Sequence, residues 1–364
     1  MTNASPPPEP DIRYQPPRPK RYQPKIGLLG CGTITGVHLD GYRKAGFNVV
    51  ALCDLNRAAA EKRRQEFFPD ADVLTDPQAL LGRKDIEVVD IALHPGDRLP
   101  LIEAAITAGK HVLSQKPFVL NLDDGERLAD LADSHGVKLA VNQNGRWAPY
   151  FRYTREAVRQ GLIGSLQSIV FALNWDHSRI KGSVFEKIHH VILYDFAIHW
   201  FDMVNLLVGE RAIGPVTAQV AVADDQPVAP PLLAAAQLPF AGGFASLTFD
   251  AYSRYDRLQQ MVVTGSDGTI RCQGGNVTAR DLSLTTEAGT VRPDLEGDWL
   301  PDGFAGTMGE LLCAIEEGRQ PENNARDNLS SLALCFAAIR AAETGQPQPV
   351  GSVRTASDGC FPRD

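Results

Sequence analysis

Residues 25–54 read KIGLLGCGTITGVHLDGYRKAGFNVVALCD, and this stretch decides the fold. The short apolar run at residues 26–29 is typical of a strand that is buried on both faces. It ends at a turn with two glycines, residues 30–32, where the backbone can pass close to a ligand. A helix is predicted over residues 34–45 and a second strand over residues 47–53. The order strand, turn, helix, strand predicts the start of a doubly wound parallel sheet.

The turn and the end of the second strand have the layout of a dinucleotide site. Gly30 and Gly32 would admit a pyrophosphate to the helix N-terminus, and Asp54, about 20 residues further on, would accept from the ribose hydroxyls. A carboxylate repels a 2′-phosphate, so Asp54 favours NAD, while Arg57 leaves room for NADP. Thr35 stands at the third glycine position, where we expect the helix to lie slightly further out. A turn that merely connects strand to helix is the structural alternative.

The same alternation continues to residue 141. Strands are predicted at residues 88–93, 111–113 and 138–141, and helices at residues 58–68, 99–108 and 123–134. Parallel sheets bind ligands beyond the carboxyl ends of their strands, so the loops that follow the strands supply the predicted cofactor contacts. These contacts are Gly30, Cys31, Gly32, Thr33, Ile34, Asp54, Leu55, Arg57, His94, Pro95, Gln115, Lys116 and Asn144.

Length and composition set the class of protein. A chain of 364 residues exceeds what one hydrophobic core usually serves, so we expect two domains. The formal net charge of −8 argues against nucleic acid or an anionic membrane as the main partner. Six scattered cysteines without a C-x-x-C pair indicate reduced thiols in a cytoplasmic protein.

Residues 1–24 contain eight prolines, which prevent a helix or a central strand. This segment is either a disordered lead-in or an arm that clasps a neighbouring subunit. The apolar segments at residues 191–208 and 227–249 are interrupted by polar residues, prolines or glycines, so no membrane-spanning helix is expected.

Lys116 lies in the sequence Ser114-Gln115-Lys116-Pro117, directly after a predicted strand. Pro117 restricts the backbone there. Lys116 therefore either points into the cleft beside the nicotinamide or is an ordinary surface lysine.

Asp195 and His199 lie in an apolar helix predicted over residues 188–207. Four residues apart, they would share one helical face, with Asp202 loosely on the same stripe. A carboxylate and an imidazole in such a helix need partners or a function. A structural Asp–His pair is one alternative. A metal site that also uses His189 and His190 is another, and we expect no metal because the cluster lacks thiolates and a zincin spacing.

The second half of the chain predicts successive strands without intervening helices, hence a mainly antiparallel open sheet in an α+β domain. The strands are predicted at residues 166–174, 216–223, 232–238, 244–249, 259–264 and 269–272, with helices at residues 304–317 and 328–344. The helix at residues 188–207 would cover one face of this sheet, and the other would meet helices of the first domain or a second subunit.

Four motifs in this order resemble those of the glucose–fructose oxidoreductase / inositol dehydrogenase / rhizopine-catabolism (Gfo/Idh/MocA) family. They are GCGTITGVH at residues 30–38, AGKHVLSQKP at 108–117, NGRWAPYFRYTREAVRQGLIG at 144–164 and DFAIH at 195–199. The resemblance spans about residues 25–351. It implies that Lys116 is the lysine of the family's E-K-P motif, with Gln115 in place of the usual Glu. It also implies that Asp195 and His199 are its D-x-x-x-H pair.

The resemblance implies a Rossmann domain followed by a domain whose open sheet often makes subunit contacts, hence a homodimer or homotetramer. We expect an arm at residues 1–24, the dinucleotide domain at 25–145, the substrate domain at 146–351 and a weakly structured tail at 352–364.

The expected reaction is hydride transfer between nicotinamide and a carbinol carbon of a sugar, inositol or related polyol. His199 would be the general base, Lys116 would favour the alkoxide, and Asp195 would anchor a hydroxyl or orient His199. Further substrate contacts are expected from Arg146, Trp147, Trp175 and His177. Two alternatives stay open: a glycoside hydrolase that oxidises its substrate transiently, and a nucleotide-binding regulator without turnover.

Overall fold

The computed structural model describes residues 8–274 and 281–361, and the chain divides into two compact units. One unit comprises Pro16–Ala148 and Trp299–Leu329 and contains a six-stranded sheet. The other comprises the residues up to Gln15, Pro149–Asp298 and the residues from Ser330 onward, and contains an eight-stranded sheet. We call them the six-stranded unit and the eight-stranded unit.

All strands of the six-stranded sheet are parallel, in the order β3-β2-β1-β4-β5-β6. This is the Rossmann strand order, and the predicted fold class is confirmed. The strands are β1 (Lys25–Leu29), β2 (Asn48–Cys53), β3 (Asp72–Leu74), β4 (Ile86–Ile91), β5 (His111–Ser114) and β6 (Leu139–Val141). The helices are α1 (Thr35–Ala45), α2 (Arg57–Phe67), α3 (Pro77–Leu81), α4 (Pro95–Thr107), α5 (Leu122–Ser134) and, later in the chain, α8 (Asp302–Glu317).

The sequence pattern did not predict β3 and α3, which are too short to show a clear period. Helix α4 begins at Pro95, four residues before the predicted start. Pro95 occupies the first turn, where a missing N–H costs nothing, and Pro100 is accommodated inside the helix. His94 and Pro95 therefore stand at a helix N-terminus instead of in an extended loop.

Helix α8 completes the core of the six-stranded unit. Its Met308, Leu311 and Leu312 are buried in the cluster formed by Ile26 of β1 and Leu39 of α1. The sequence led us to place this helix in the second domain, because helices late in the chain follow the second sheet. Its apolar face instead packs on α1, which explains why the chain returns to this unit at Trp299.

Residues 16–24 lie along the six-stranded unit. The Glu316 carboxylate accepts three backbone N–H bonds, from Lys20 at 2.8 Å, Arg21 at 2.6 Å and Tyr22 at 2.9 Å. These bonds hold the pKa of Glu316 below its usual range, because they stabilise the charged form. The expectation of a disordered lead-in is wrong for these residues, since a carboxylate on the chain's own helix α8 binds their backbone. The alternative of an arm that clasps a neighbouring subunit stays a prediction.

Residues 8–15 are ordered in the eight-stranded unit. Ile12 and Tyr14 are buried, and the Tyr14 hydroxyl accepts from the Glu296 backbone N–H at 2.9 Å. The expectation of a disordered lead-in is therefore wrong here as well, because the side chains of Ile12 and Tyr14 are buried. Residues 1–7 of the predicted arm lie outside the described residues.

The eight-stranded sheet has the order β14-β13-β12-β11-β7-β10-β9-β8. Strand β7 pairs parallel with β10, and the other described pairs are antiparallel, as predicted. The strands are β7 (Leu166–Asn174), β8 (Thr217–Ala221), β9 (Leu233–Phe240), β10 (Gly243–Asp250), β11 (Leu258–Gly265), β12 (Gly268–Gly274), β13 (Asp281–Thr286) and β14 (Gly289–Val291). Strands β13 and β14 were not predicted. The unit's helices are α6 (Pro149–Arg159), α7 (Ile198–Val208) and, from Ser330 onward, α9 (Ala325–Thr344).

The helix predicted over residues 188–207 is not continuous. A π-helical turn, Ile192–Phe196, precedes α7, and the Ala197 N–H donates to the Ile192 carbonyl at 2.7 Å. Phe196 stacks between Trp175 and Trp200, at ring-centroid distances of 4.1 Å and 4.7 Å. A wider turn of this kind is often found at functional sites.

Residues 352–361 are attached to the eight-stranded unit. The His190 backbone N–H donates to the Gly359 carbonyl at 2.9 Å, and Cys360 is buried. The expectation of a weakly structured tail is wrong for this part because a buried side chain anchors it. None of the helices in the described part of the chain is long and apolar enough to cross a membrane.

We expect Gly306→Ala to destabilise the protein by about 1–3 kcal/mol, the usual cost of overpacking. Alanine in a helix is otherwise favourable by about 1 kcal/mol over glycine. In α8, however, its Cβ would lie 2.4 Å from Cγ of the buried Trp147. The free energy of unfolding in urea measures the effect.

Gly96→Ala in α4 is the matched control, since no described atom lies within 4 Å of that Cβ position. This variant should be neutral or up to about 1 kcal/mol more stable. Equal effects of the two substitutions would contradict the packing argument.

Candidate functional site

The carboxyl edge of the parallel sheet gathers most of the predicted cofactor residues. Gly30 follows β1, Asp54 follows β2, His94 follows β4, and Gln115 and Lys116 follow β5. Because the strands are parallel, their carboxyl ends share one edge, and the strand order reverses between β1 and β4. Ligands of open α/β sheets bind at this reversal.

The glycine turn is shaped by a close backbone approach. Gly30 has φ +93°, and a Cβ there would lie 2.6 Å from the Ala92 carbonyl oxygen. Only glycine fits this position. At Gly32, by contrast, no described atom lies within 4 Å of the Cβ position, so the space over the turn is open at the N-terminus of α1. An open helix N-terminus with exposed backbone N–H groups suits a pyrophosphate.

Asp54 is fixed by two backbone donors. Its carboxylate accepts from the Cys31 N–H at 2.7 Å and from the Asn56 N–H at 2.8 Å. Two carboxylate oxygens have about four acceptor positions, so capacity remains for a pair of hydroxyl groups. Leu55 is 85% exposed beside it, and Ile34 on the glycine turn is 40% exposed. Arg57 forms an ion pair with Glu61 at 3.6 Å.

Two further residues support the turn. Thr35, at the third glycine position, is buried, and its hydroxyl donates to the Gly32 carbonyl at 2.7 Å. Arg63 of α2 donates to the carbonyls of Gly32 at 2.8 Å and Thr33 at 3.2 Å. We missed Arg63 because the charged face of α2 has no feature in the sequence that distinguishes one arginine from the next.

The backbone of Lys116 is held on both sides. Its N–H donates to the Gln115 side-chain oxygen at 2.7 Å, and its carbonyl accepts from Arg98 at 3.4 Å. The fully buried Arg98 guanidinium also donates to the carbonyls of Leu93, at 3.0 Å, and Pro117. From the sequence we assign Arg98 no role, because an arginine in the first turns of a helix has no feature that marks it as buried.

A buried hydrogen-bond network adjoins Gln115. Asp90 of β4 accepts from the Tyr42 hydroxyl at 2.7 Å and bonds His38 Nδ1 at 2.8 Å. The other ring nitrogen, His38 Nε2, lies 2.9 Å from Gln115 Nε2. Burial, with the Asp90 charge second, raises the pKa of Tyr42 well above its usual value, so the hydroxyl stays a donor. The sequence signal for this network was the aspartate inside the apolar run VVDIAL.

Three predicted contacts have partners inside the six-stranded unit. Asn144 accepts from Trp299 Nε1 at 2.6 Å, and the buried Arg146 pairs with Asp327 at 2.7 Å. Trp147 is buried against Gly306. The returning segment Trp299–Leu329 provides these partners, which the sequence could not indicate, so we leave the three side chains out of the proposed site.

In the eight-stranded unit, Trp175 is buried and its Nε1 donates to His177 Nδ1 at 3.1 Å. Asp195, in the π-helical turn, and His199, in the first turn of α7, are only partly buried. Asp202 is buried instead and accepts from the Ser331 hydroxyl at 2.7 Å. It therefore faces the interior of the unit and does not extend the stripe of Asp195 and His199.

The histidines of the metal alternative have other surroundings. His190 Nε2 lies 3.2 Å from Glu343 Oε1 and is buried, while the His189 ring stands edge-on to it at 4.6 Å. Among residues 8–274 and 281–361, no group of three or more His, Cys, Asp or Glu side chains is placed to hold a metal ion.

Comparison with known proteins gives a family match over both units. The GFO_IDH_MocA model, described as the oxidoreductase family's NAD-binding Rossmann fold, matches residues 24–143. The model of the GFO/IDH/MocA C-terminal domain matches residues 151–271.

Two relatives and one solved structure illustrate the similarity. D-apiose dehydrogenase of Paraburkholderia graminis is 28% identical over 88% of each chain. Inositol 2-dehydrogenase of Rhizobium meliloti is 27% identical over 87% of this chain and 96% of its own. An oxidoreductase from Agrobacterium radiobacter, solved with NAD+, L-tartaric acid and magnesium, has the same fold. It superimposes with a TM-score of 0.81 at 20% identity, over 91% of this chain and 99% of that one.

We expect Asp54→Asn to weaken NAD binding by about 10–150-fold, because a hydrogen bond to a charged group contributes about 1.5–3 kcal/mol. Binding of NADP should weaken less or improve, since the carboxylate no longer repels a 2′-phosphate. Isothermal titration calorimetry with both nucleotides measures this. Asp40→Asn, which removes a carboxylate paired with Lys44 at 2.8 Å on α1, is the control and should leave both affinities unchanged. Equal losses for the two nucleotides would contradict the assigned role of Asp54.

Proposed function

The chain belongs to the Gfo/Idh/MocA oxidoreductase family, and on this basis we propose that it is an NAD-dependent dehydrogenase of a sugar, inositol or related polyol. The observation that carries the proposal is the carboxyl edge of the six-stranded sheet. There the open turn at Gly32, the fixed carboxylate of Asp54 and the braced backbone of Lys116 follow neighbouring parallel strands.

The residues of this edge fit a dinucleotide. The N-terminus of α1 and the open space at Gly32 would hold the pyrophosphate, and Asp54 would accept from the ribose hydroxyls. The exposed side chains of Leu55 and Ile34 would lie against the adenine portion. When bound, NAD supplies the acceptor for the hydride of the carbinol carbon.

The reaction also requires removal of the hydroxyl proton. We assign His199 as the general base, because its side chain is partly exposed whereas most neighbouring residues of the segment are buried. Lys116 would donate to the reacting oxygen and favour its alkoxide. Asp195 would anchor a neighbouring hydroxyl or orient His199. His177, held by Trp175, would contact the substrate further along.

The substrate class follows from the relatives. One is named for a sugar, D-apiose, and the other for a cyclitol, inositol, and each covers most of this chain. Both substrates present several adjacent hydroxyl groups, which suits a site with a lysine, a carboxylate and histidines. NAD is the proposed cofactor, with NADP disfavoured by Asp54.

We expect the purified protein to release NADH steadily with NAD and one member of a panel of sugars and inositols. Lys116→Ala should lower kcat by about 10²–10³, the usual loss of one electrostatic donor. His199→Ala should lower it by about 10²–10⁴, the range for a general base. NADH absorbance measures both.

Lys44→Ala and His135→Ala, at exposed positions of α1 and after α5, are the matched controls and should keep wild-type kcat. Glycoside cleavage without net NADH would instead support transient oxidation. Unchanged turnover in Lys116→Ala and His199→Ala would rule out the assigned roles.

We also propose that the protein forms a homodimer or homotetramer through the face of the eight-stranded sheet that carries Phe244, Val170 and Val262. Phe244 of β10 is 49% exposed there, and the cross-strand pair Val170 and Val262 is only partly buried. Phe244→Lys should lower the mass measured by light scattering after gel filtration, because a charge opposes burial in an interface. Tyr255→Lys, at an 81% exposed position in the turn before β11, should not. A monomeric wild-type protein would end this proposal.

A cytoplasmic location is proposed from the cysteines. All six are free and buried. Burial raises the pKa of Cys31 to about 12 and of Cys53 to about 11, which keeps both as unreactive thiols. Such thiols suit a reducing compartment.

A further inference from the structure

The side-chain amide of Gln115 has a fixed orientation. Its oxygen accepts from the Lys116 backbone N–H at 2.7 Å, so its nitrogen must be the atom that faces His38 Nε2 at 2.9 Å. An amide nitrogen donates and cannot accept. His38 Nε2 therefore accepts this bond, which a ring protonated at Nε2 cannot do.

A second amide lies near the same ring nitrogen. The Asn142 side-chain nitrogen is 3.5 Å from His38 Nε2, and the Asn142 oxygen is 2.9 Å from the Thr307 hydroxyl, which also has the Phe304 carbonyl as an acceptor at 2.9 Å. The assignment of the ring therefore follows from Gln115, whose orientation its bond to the Lys116 N–H determines. The ring proton then sits on His38 Nδ1, where it is donated to Asp90 at 2.8 Å.

The surroundings make this arrangement rigid. His38, Asp90, Gln115 and Asn142 are all nine-tenths or more buried. Phe304 of α8 lies against the His38 ring at a centroid distance of 4.3 Å. Asp90 also accepts from the Tyr42 hydroxyl at 2.7 Å, so its carboxylate cannot easily turn away from the ring.

We propose that His38 is a positioning residue for Lys116: the neutral ring, oriented by Asp90, holds the Gln115 amide, and this amide holds the Lys116 backbone. The inference rests on the proposed function, in which Lys116 acts on the substrate hydroxyl. Arg98 restrains the same segment from the carbonyl side, at 3.4 Å from the Lys116 oxygen. Misplacement of a reacting group by about 1 Å can cost about 10²-fold in rate, so such bracing matters.

The glutamine at position 115 follows from the same reasoning. A glutamate would still accept from the Lys116 N–H, but its second oxygen would face an accepting nitrogen. One added proton would then be needed, either on the ring, which becomes an imidazolium between two carboxylates, or on the introduced carboxyl group. Gln115, Asp90 and His38 therefore form a matched set in this chain.

The first test is the tautomer of His38, read by NMR of protein labelled with ¹⁵N-histidine. His38→Gln identifies the signals. The wild-type ring should be neutral with its proton on Nδ1 at neutral pH. A wild-type ring protonated at Nε2 would overturn the proposal.

The second test follows the Lys116 amide in protein labelled with ¹⁵N-lysine, assigned by its loss in Lys116→Arg. Gln115→Leu and His38→Leu should each raise the hydrogen-exchange rate of this amide at least tenfold. Gln115→Glu, which keeps the acceptor, should leave it within about threefold of wild type, the scatter expected for such comparisons. An unaltered amide in His38→Leu would refute the link between the ring and the lysine.

The third test separates positioning from mere stability, with NADH formation from the panel member that wild type oxidises. Gln115→Leu should lower kcat by about 10–100-fold, and Gln115→Glu should recover most of the loss, which a merely structural role would not do. Gln259→Leu removes a buried glutamine that bonds Tyr150 in the other unit and is the matched control. It should match wild-type kcat per folded molecule.

The outcomes distinguish the two levels of inference. The proposed function fails if Lys116→Ala keeps full turnover or if the wild-type protein oxidises nothing in the panel. In that case the two NMR measurements still show whether His38 and Gln115 hold the Lys116 backbone. If Lys116→Ala is inactive but Gln115→Leu loses stability only, with normal kcat, the positioning role is refuted and the function stands.

Discussion

A close backbone approach at the carboxyl edge of the parallel sheet constrains the loops around it. After β1 the chain passes so near the chain after β4 that Gly30 has no room for a side chain, with Ala92 oxygen 2.6 Å from the Cβ position. This brings the start of α1 against the end of β4. The turn after β1, the Asp54 carboxylate and the Lys116 segment are then fixed by hydrogen bonds to this frame. These bonds hold the backbone of the proposed cofactor site in one arrangement.

Much of the hydrogen bonding at this edge comes from the buried side chains of Arg98 and His38. Arg98 collects carbonyls from the loops after β4 and β5, and the His38 ring collects amides from the ends of β5 and β6. Each of these polar groups is buried, where an unmade bond is costly. These side chains therefore connect the loops that follow β4, β5 and β6 to one another.

The sequence predicted the doubly wound parallel sheet and the approximate positions of most longer elements, because alternating strands and helices allow few topologies. The strand order comes from the structure alone. It also located the glycine turn, Asp54 and Lys116, since residues at strand ends are easily found by position. It could not assign partners distant in sequence. The sequence predicts Arg146 and Trp147 as substrate contacts. In the structure they are instead covered by the returning segment, through Asp327 and Gly306. The π-helical turn was equally hidden, because the aromatic stacking of Phe196 that accompanies it has no periodic signature.

Glu316 has a practical consequence for anyone who handles this protein. Its carboxylate accepts from three successive backbone N–H groups at residues 20–22, so the proline-rich segment at residues 16–24 is part of the folded six-stranded unit. A truncated protein that starts at β1 would leave the Glu316 carboxylate without these three donors. It would also expose Phe47 and Leu312, which line a small cavity together with residues of the N-terminal segment. Affinity tags are better joined ahead of residue 8, and truncation boundaries drawn from motif matches alone would cut into the fold.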